Sequence, residues 1–201
     1  MSSLSLITTF HGNIRVGTGH AGNGLDEVID RDLPLGVGAV KGILRDEARW
    51  LLPGKGEGDH LFVDSVFGST SIECPWNFDV SIAKEPKYQN HPNLRLDSEG
   101  SVVNGALLVK EEATVETARV ELFKRARLSS QGLPNNLQSE TEACHLALIH
   151  LAARSVEKMG QRRSRGLGWV AFNLDPALGD PVQRLKTDLD LLWEIRNGGA
   201  Q

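Results

Sequence analysis

The sequence predicts an α+β sandwich: an antiparallel sheet with helices on one face. Two observations carry this. Short alternating segments are interleaved with three longer helical ones, and the order is strand, helix, strands, helix, strand, then a terminal helix. The 201 residues are 40% hydrophobic and 24% charged, enough apolar material for one core and too much for a disordered chain.

Residues 4–10, LSLITTF, read as the first strand. Residues 11–39 follow as a loop too rich in glycine and polar residues for a helix; seven of the 21 glycines fall between 11 and 40. Loops of this length inside a compact domain are usually functional or disordered. Residues 40–52 read as an amphipathic helix, because Val40, Ile43, Leu44, Ala48, Leu51 and Leu52 recur at i, i+3 and i+4. Pro53-Gly54 stops it, and 53–60 is a flexible connection. Residues 61–67 are a short apolar stretch closed by Gly68-Ser69.

Residues 77–83 alternate as a strand, 84–101 look irregular because of their Pro, Asn and Gly, and 107–109 are short and apolar. Residues 115–123 make a better strand, with Ala118, Val120 and Leu122 on one face and Arg119 and Glu121 on the other. A polar loop spans 124–138. The S-E-T-E run from Ser139 then reads as a capping box, Ser139 with Glu142, opening a helix to about Met159 that Gly160 terminates. Residues 168–174 read as a final core strand containing Trp169. Residues 181–196 read as a last helix with Val182, Leu185, Leu189 and Leu192 on its apolar face. This order suits a ferredoxin-like sandwich.

Charge and cysteine content narrow the function classes. A net charge of -4 argues against a protein that coats nucleic acid by bulk charge, so local placement of basic residues decides. Cys74 and Cys144 form no C-x-x-C pair, which fits a reducing compartment rather than a disulfide framework or zinc ribbon. No apolar run approaches the roughly 18 residues of a membrane span, and the N-terminus lacks the basic and apolar regions of a signal peptide. A cytoplasmic location is expected.

Three clusters carry candidate chemistry. The first is G-QRRSR-G-L-G at 160–168. From Arg154 to Arg165 five basic residues (Arg154, Lys158, Arg162, Arg163, Arg165) stand against one acid, Glu157, and glycines let a backbone approach a phosphate. The second is V-K-G-I-L-R, with Lys41 and Arg45 four apart at a helix start, where cations oppose the dipole unless an anion is bound. The third is the acidic run Asp26, Glu27, Asp30, Asp32, able to recruit a divalent cation or act in proton transfer. The six histidines show no metal-ligand spacing; His145 and His150 read as helix histidines. Neither a phosphate-binding G-x-x-x-x-G-K-[ST] nor a nucleophile elbow occurs.

The order of these motifs carries more than each alone. A first strand, R-V-G-T-G, a glycine/aspartate loop, V-K-G-I-L-R, V-F-G-S and a long helix ending in the glycine-rich basic loop resemble the RAMP superfamily of CRISPR-associated proteins. The resemblance covers about residues 4–174 and is nearest to the backbone subunit of type III RNA-guided effector complexes. It implies a modified ferredoxin-like, RRM-like fold with long glycine-rich loop insertions. It also implies an RNA-binding domain over 1–176, with inserted loops at 11–39 and 84–138, and a helical appendage at 177–201.

By that resemblance the partners are CRISPR RNA, complementary target RNA, copies of the chain or related RAMP subunits, and the large subunit of the complex, with no membrane. RNA-binding residues would be Arg15, Lys41 and Arg45, with Gly160, Arg162, Arg163, Arg165, Gly166 and Gly168 in the basic loop. Asp26 best matches the position of a catalytic aspartate working with Mg²⁺ or Mn²⁺, and Asp30 and Asp32 are its alternatives. The chain departs from the family at Gly36 to Val40, GVGAV, where hydroxyl residues that help bind phosphate are usual. A structural subunit that does not cut is the first alternative. A CRISPR-RNA processing endoribonuclease using His11 or His20 is the second.

Overall fold

The computed structural model describes residues 3–22, 24–54, 58, 60–161 and 163–198. Six strands and four α-helices follow in chain order: β1 (Ser3–Phe10), α1 (Val37–Leu51), α2 (Leu61–Phe67), β2 (Trp76–Ile82), β3 (Lys87–Leu96), β4 (Val102–Thr114), β5 (Thr117–Lys124), α3 (Thr141–Ser155), β6 (Val170–Leu174) and α4 (Pro181–Gly198). The main sheet runs β2-β5-β1-β6, antiparallel at every neighbouring pair. With α1 after β1 and α3 before β6, this is the βαββαβ order of a ferredoxin-like fold. Into it are inserted α2 and a separate two-stranded ribbon, β3-β4.

Side-chain alternation decides which face is covered. Leu4, Leu6, Thr8 and Phe10 of β1 lie across from Leu122, Val120 and Ala118 of β5 and from Leu174, Phe172 and Val170 of β6. All are buried, and α1 and α3 pack side by side over them. The opposite face is polar, with Arg119 and Glu121 on β5, as the period-two reading requires.

Several expectations are corrected. Residues 84–101 are irregular only at their ends: β3 occupies Lys87–Leu96 and runs through Pro92, which pairs with Val109 of β4. A two-stranded ribbon consists of edges, so a proline without an N–H is tolerated there. The apolar 107–109 segment is the middle of a 13-residue strand. The Ser139–Glu142 capping box does not form. A 3₁₀ turn over Asn135–Glu140 leads directly into α3, and Glu142 pairs with Lys124 at 2.6 Å instead. The helix ends at Ser155, four residues before the expected Met159.

Helix α4 is rotated from the expected face, of which Leu192 still packs against the core. Asp188, Leu191 and Ile195 are buried, while Val182 and Leu189 are exposed. The polar partner explains the rotation. Asp188 Oδ2 lies 2.6 Å from His150 Nδ1 on α3, and Arg184 Nε donates to both oxygens of Asp188. An ion-paired, hydrogen-bonded carboxylate can be buried where a lone one cannot.

His145 is also a core residue. Cys74 and Cys144 are free thiols; burial pushes Cys144 up to about 11, so it is neutral in the core. Among the described residues no helix is long and apolar enough to cross a membrane.

Candidate nucleic-acid interface

The long loop after β1 is a built structure. Isolated bridges join Ile14 to Ala113, Gly17 to Ile29, Gly22 to Leu25 and Glu27 to Lys110, so the loop is fastened on itself and on the end of β4. Arg15 is fully buried there. Its Nε donates to the Glu111 carbonyl at 3.0 Å and its Nη2 to Glu112 Oε1 at 3.1 Å. The expected phosphate contact by Arg15 is therefore corrected: its charge is spent inside the protein. Glu111, also buried, accepts from Arg31 Nη2 at 2.6 Å and from the Ile29 amide at 3.1 Å. Arg31 in turn lies over the Tyr88 ring, 4.7 Å from its centroid.

Asp26 is exposed on this loop. Its amide donates to the Val109 carbonyl at 2.9 Å, and its Oδ2 accepts from the Val109 amide at 2.6 Å. Asp30 is occupied differently: Oδ1 accepts from the amides of Asp32 and Leu33, closing a local turn. Asp32 is exposed. Glu27 and Ile29 point inward while Asp26 points out, the period of an extended segment.

The basic loop, residues 160–168, packs directly on the same segment. The Gln161 amide donates to the Arg15 carbonyl at 2.8 Å and the Gly168 amide to the Asn13 carbonyl at 2.8 Å. Gly160 has φ +86°, and a Cβ there would lie 2.5 Å from the Arg15 carbonyl oxygen. Gly168 has φ +76°, and a Cβ would run into the Met159 carbonyl. Both glycines are thus required by backbone contact as well as by φ. Arg163 and Arg165 form a short 3₁₀ turn and are exposed, as is Gly166. Arg162 lies outside the described residues.

The other two basic residues of the cluster are used internally. Arg154 donates to the Phe172 carbonyl and to Asn173, and Lys158 Nζ sits 3.9 Å from the Trp169 ring centroid. Trp169, expected within the final core strand, precedes β6 and is 43% exposed. His11 and His20, the alternative bases, are both exposed, and the His11 amide donates to the Trp169 carbonyl.

Helix α1 opens with Gly36 at its N-cap, which offers no side chain to the first-turn amides. Lys41 and Arg45 lie on one flank and line an open groove of about 400 Å³ with Gly38, Gly42, Ser69 and Cys74. Lys41 is half-buried. Arg45 is paired with Asp64 of α2 at 2.9 Å, a partner the sequence did not announce. On the opposite flank is Glu47. Burial, then Asp46, push its carboxyl up, while Arg163 acts in the other sense. The two basic features therefore lie on opposite flanks of α1, Lys41 towards its start and Arg163 near Glu47 towards its end, rather than in one cleft.

Among the described residues no three His, Cys, Asp or Glu side chains converge as a metal site. The donor set does not fit an all-protein cage.

The comparisons agree with this architecture. Residues 20–171 match the model of the RAMP superfamily. No curated protein matches the chain. Among solved structures, a chain of the type III-B Cmr-beta complex bound to cognate target RNA superposes with a TM-score of 0.58 at 11% identity, covering 87% of this chain and 97% of that one. At that identity the likeness speaks for the fold, whereas the family model spans most of the sequence, and the chain belongs to the RAMP superfamily.

Proposed function

We propose that this chain is a CRISPR-RNA-binding subunit of a type III RNA-guided effector complex and that it cuts complementary target RNA with Asp26. One observation carries the reading: the glycine-rich loop that exposes Arg163 and Arg165 is packed onto the loop that exposes Asp26. A phosphate-holding element and a carboxylate on an adjoining element are the two parts such a subunit needs. The RAMP membership and the fold of the Cmr-beta chain support it. Arg163, Arg165 and Lys41 hold guide phosphates, and the uncapped first-turn amides of α1 face an anion favourably. Specificity comes from base pairing, so the protein needs only the backbone of the guide. Copies or relatives of the chain and the large subunit complete the assembly.

RNA carries its own nucleophile, the 2′-hydroxyl. The protein must place that oxygen in line with the scissile phosphate and accept its proton. The exposed Asp26 carboxylate is anchored through Oδ2 to the Val109 amide, which fixes its direction. Mg²⁺ commonly binds through one carboxylate plus substrate phosphates and water, so Asp26 with bound RNA is the combination to test for Mg²⁺ or Mn²⁺ dependence. One observation favours the non-cutting alternative: the bond to Val109 gives Asp26 a structural role already.

An Asp26→Ala variant assembled with guide RNA separates the two. It should bind complementary RNA and lose cleavage by about 10²-fold or more. Undiminished cutting rejects Asp26, and a wild type that binds without cutting leaves the structural subunit.

A further inference from the structure

Glu27 is a buried carboxylate beside the exposed Asp26, and its two oxygens go to two different elements. Oε2 accepts from Lys110 Nζ of β4 at 2.5 Å, and Oε1 accepts from Gln161 Nε2 of the basic loop at 2.6 Å. Its carbonyl accepts from the Glu111 amide at 3.1 Å. Burial pushes the carboxyl up, but the bonds from Lys110 and Gln161 and the charges of Lys110 and Arg15 outweigh it and hold Glu27 below its ordinary value. It is an anion inside the fold. Gly17 makes the room: a Cβ there would collide with the Glu27 carboxylate.

The pairing has a register. Asp26 is held to Val109, and Glu27 to Lys110, the next residue of β4. The only side chain that reaches Glu27 from the basic loop, among the described residues, is Gln161. Gln161 is itself exposed and sits in a glycine-rich turn. Holding an exposed glutamine in one rotamer opposes the charge-assisted bond it makes to Glu27. A ligand that orders the loop removes that opposing entropy for a bond already shaped.

We propose that Glu27 is a positioning residue that couples the basic loop to Asp26. RNA seated on residues 160–168 immobilises Gln161, Gln161 steadies Glu27, and Glu27 holds the Asp26–Val109 pairing in place. This rests on the RNA-binding reading above, and it adds a regulation that reading does not contain: the carboxylate is best ordered when guide RNA is present.

Hydrogen–deuterium exchange of the full chain, with and without a single-stranded RNA oligonucleotide, tests it in wild type and Gln161→Ala. Gln161 is exposed and its removal deletes one side-chain bond, so the variant should fold. In wild type, RNA should slow exchange in 160–168 and, by about fivefold or more, at the Val109 amide and through 26–29. In Gln161→Ala the loop should still be protected while the effect at Val109 is abolished. Protection confined to the loop in wild type, or equal transmission in both proteins, overturns the coupling and leaves RNA binding standing. Exchange at Val109 that responds to the substitution equally with and without RNA marks a structural role only and overturns it too. No protection of the loop in wild type overturns the RNA-binding reading, and this inference with it.

Discussion

Trp76 donates its indole N–H to His145 Nδ1 at 3.1 Å, so the imidazole carries its proton on Nε2, which lies 2.9 Å from the Ser129 carbonyl. Phe62 closes on the same ring edge-on, with centroids 5.1 Å apart. Burial pushes His145 down to about 4, and the Ser129 bond offsets only part of this. The folded value lies below the ordinary 6.5, so the unfolded chain binds the extra proton first. Stability is complete above about pH 6.5 and falls away from there towards 4, by an amount on the order of 2–3 kcal/mol from this group. Urea unfolding across pH 4–7 should show that slope, and His145→Leu should flatten it while lowering stability at pH 7, because Trp76 would have no acceptor.

The buried Arg15–Glu112 pair anchors the long loop to β4. Replacing one partner strands a charge in the core, so Arg15→Leu should destabilise by roughly 3–5 kcal/mol. Arg15→Leu combined with Glu112→Leu should regain most of that. Urea midpoints of the two variants check this, and equal destabilisation would mean that the ion pair is not what the loop depends on.

Two glycines of the basic loop should respond differently. Both have positive φ, but a Cβ at Gly166 meets nothing within 4 Å, whereas one at Gly168 meets the Met159 carbonyl. Gly166→Ala should cost only backbone strain, about 1 kcal/mol, and Gly168→Ala should cost clearly more and weaken RNA binding through the distorted loop. Thermal melts with a filter-binding assay separate the two.

Arg45 is paired with Asp64 beside the groove that Lys41 lines. Asp64→Asn removes the carboxylate that pairs with the groove-lining Arg45 and should tighten RNA binding a few-fold, the effect of an ion pair worth roughly 1 kcal/mol. Lys41→Ala should weaken it. An Asp64→Asn variant with wild-type affinity would place the RNA elsewhere.

The sandwich was legible because its strands alternate and its helices repeat at 3.6: Ala118, Val120 and Leu122 face the core as read. The ribbon was not, because β3 has no apolar alternation and contains Pro92, which only an edge permits. The outward rotation of Val182 and Leu189 on α4 was hidden for another reason. A buried Asp188 looks like surface until His150 and Arg184 are placed beside it. In the candidate site the same limit applies. Arg15 and Arg163 are equal as letters, and only tertiary pairing with Glu112 turns the first inward. Glu27 could have been noticed from the alternation of 26–29, but its partners, Lys110 and Gln161, lie 83 and 134 residues away.

In the proposed assembly the exposed arginines of the basic loop hold RNA by its phosphates. The direct measurement is single-stranded RNA affinity over a salt series for wild type and for Arg163→Ala combined with Arg165→Ala. If each arginine neutralises one phosphate, the log–log slope of the double variant should be shallower by roughly 1.4, about 0.7 for each side chain removed. The variant should keep the wild-type melting temperature, since both side chains are exposed. An unchanged slope in a folded variant would contradict the account.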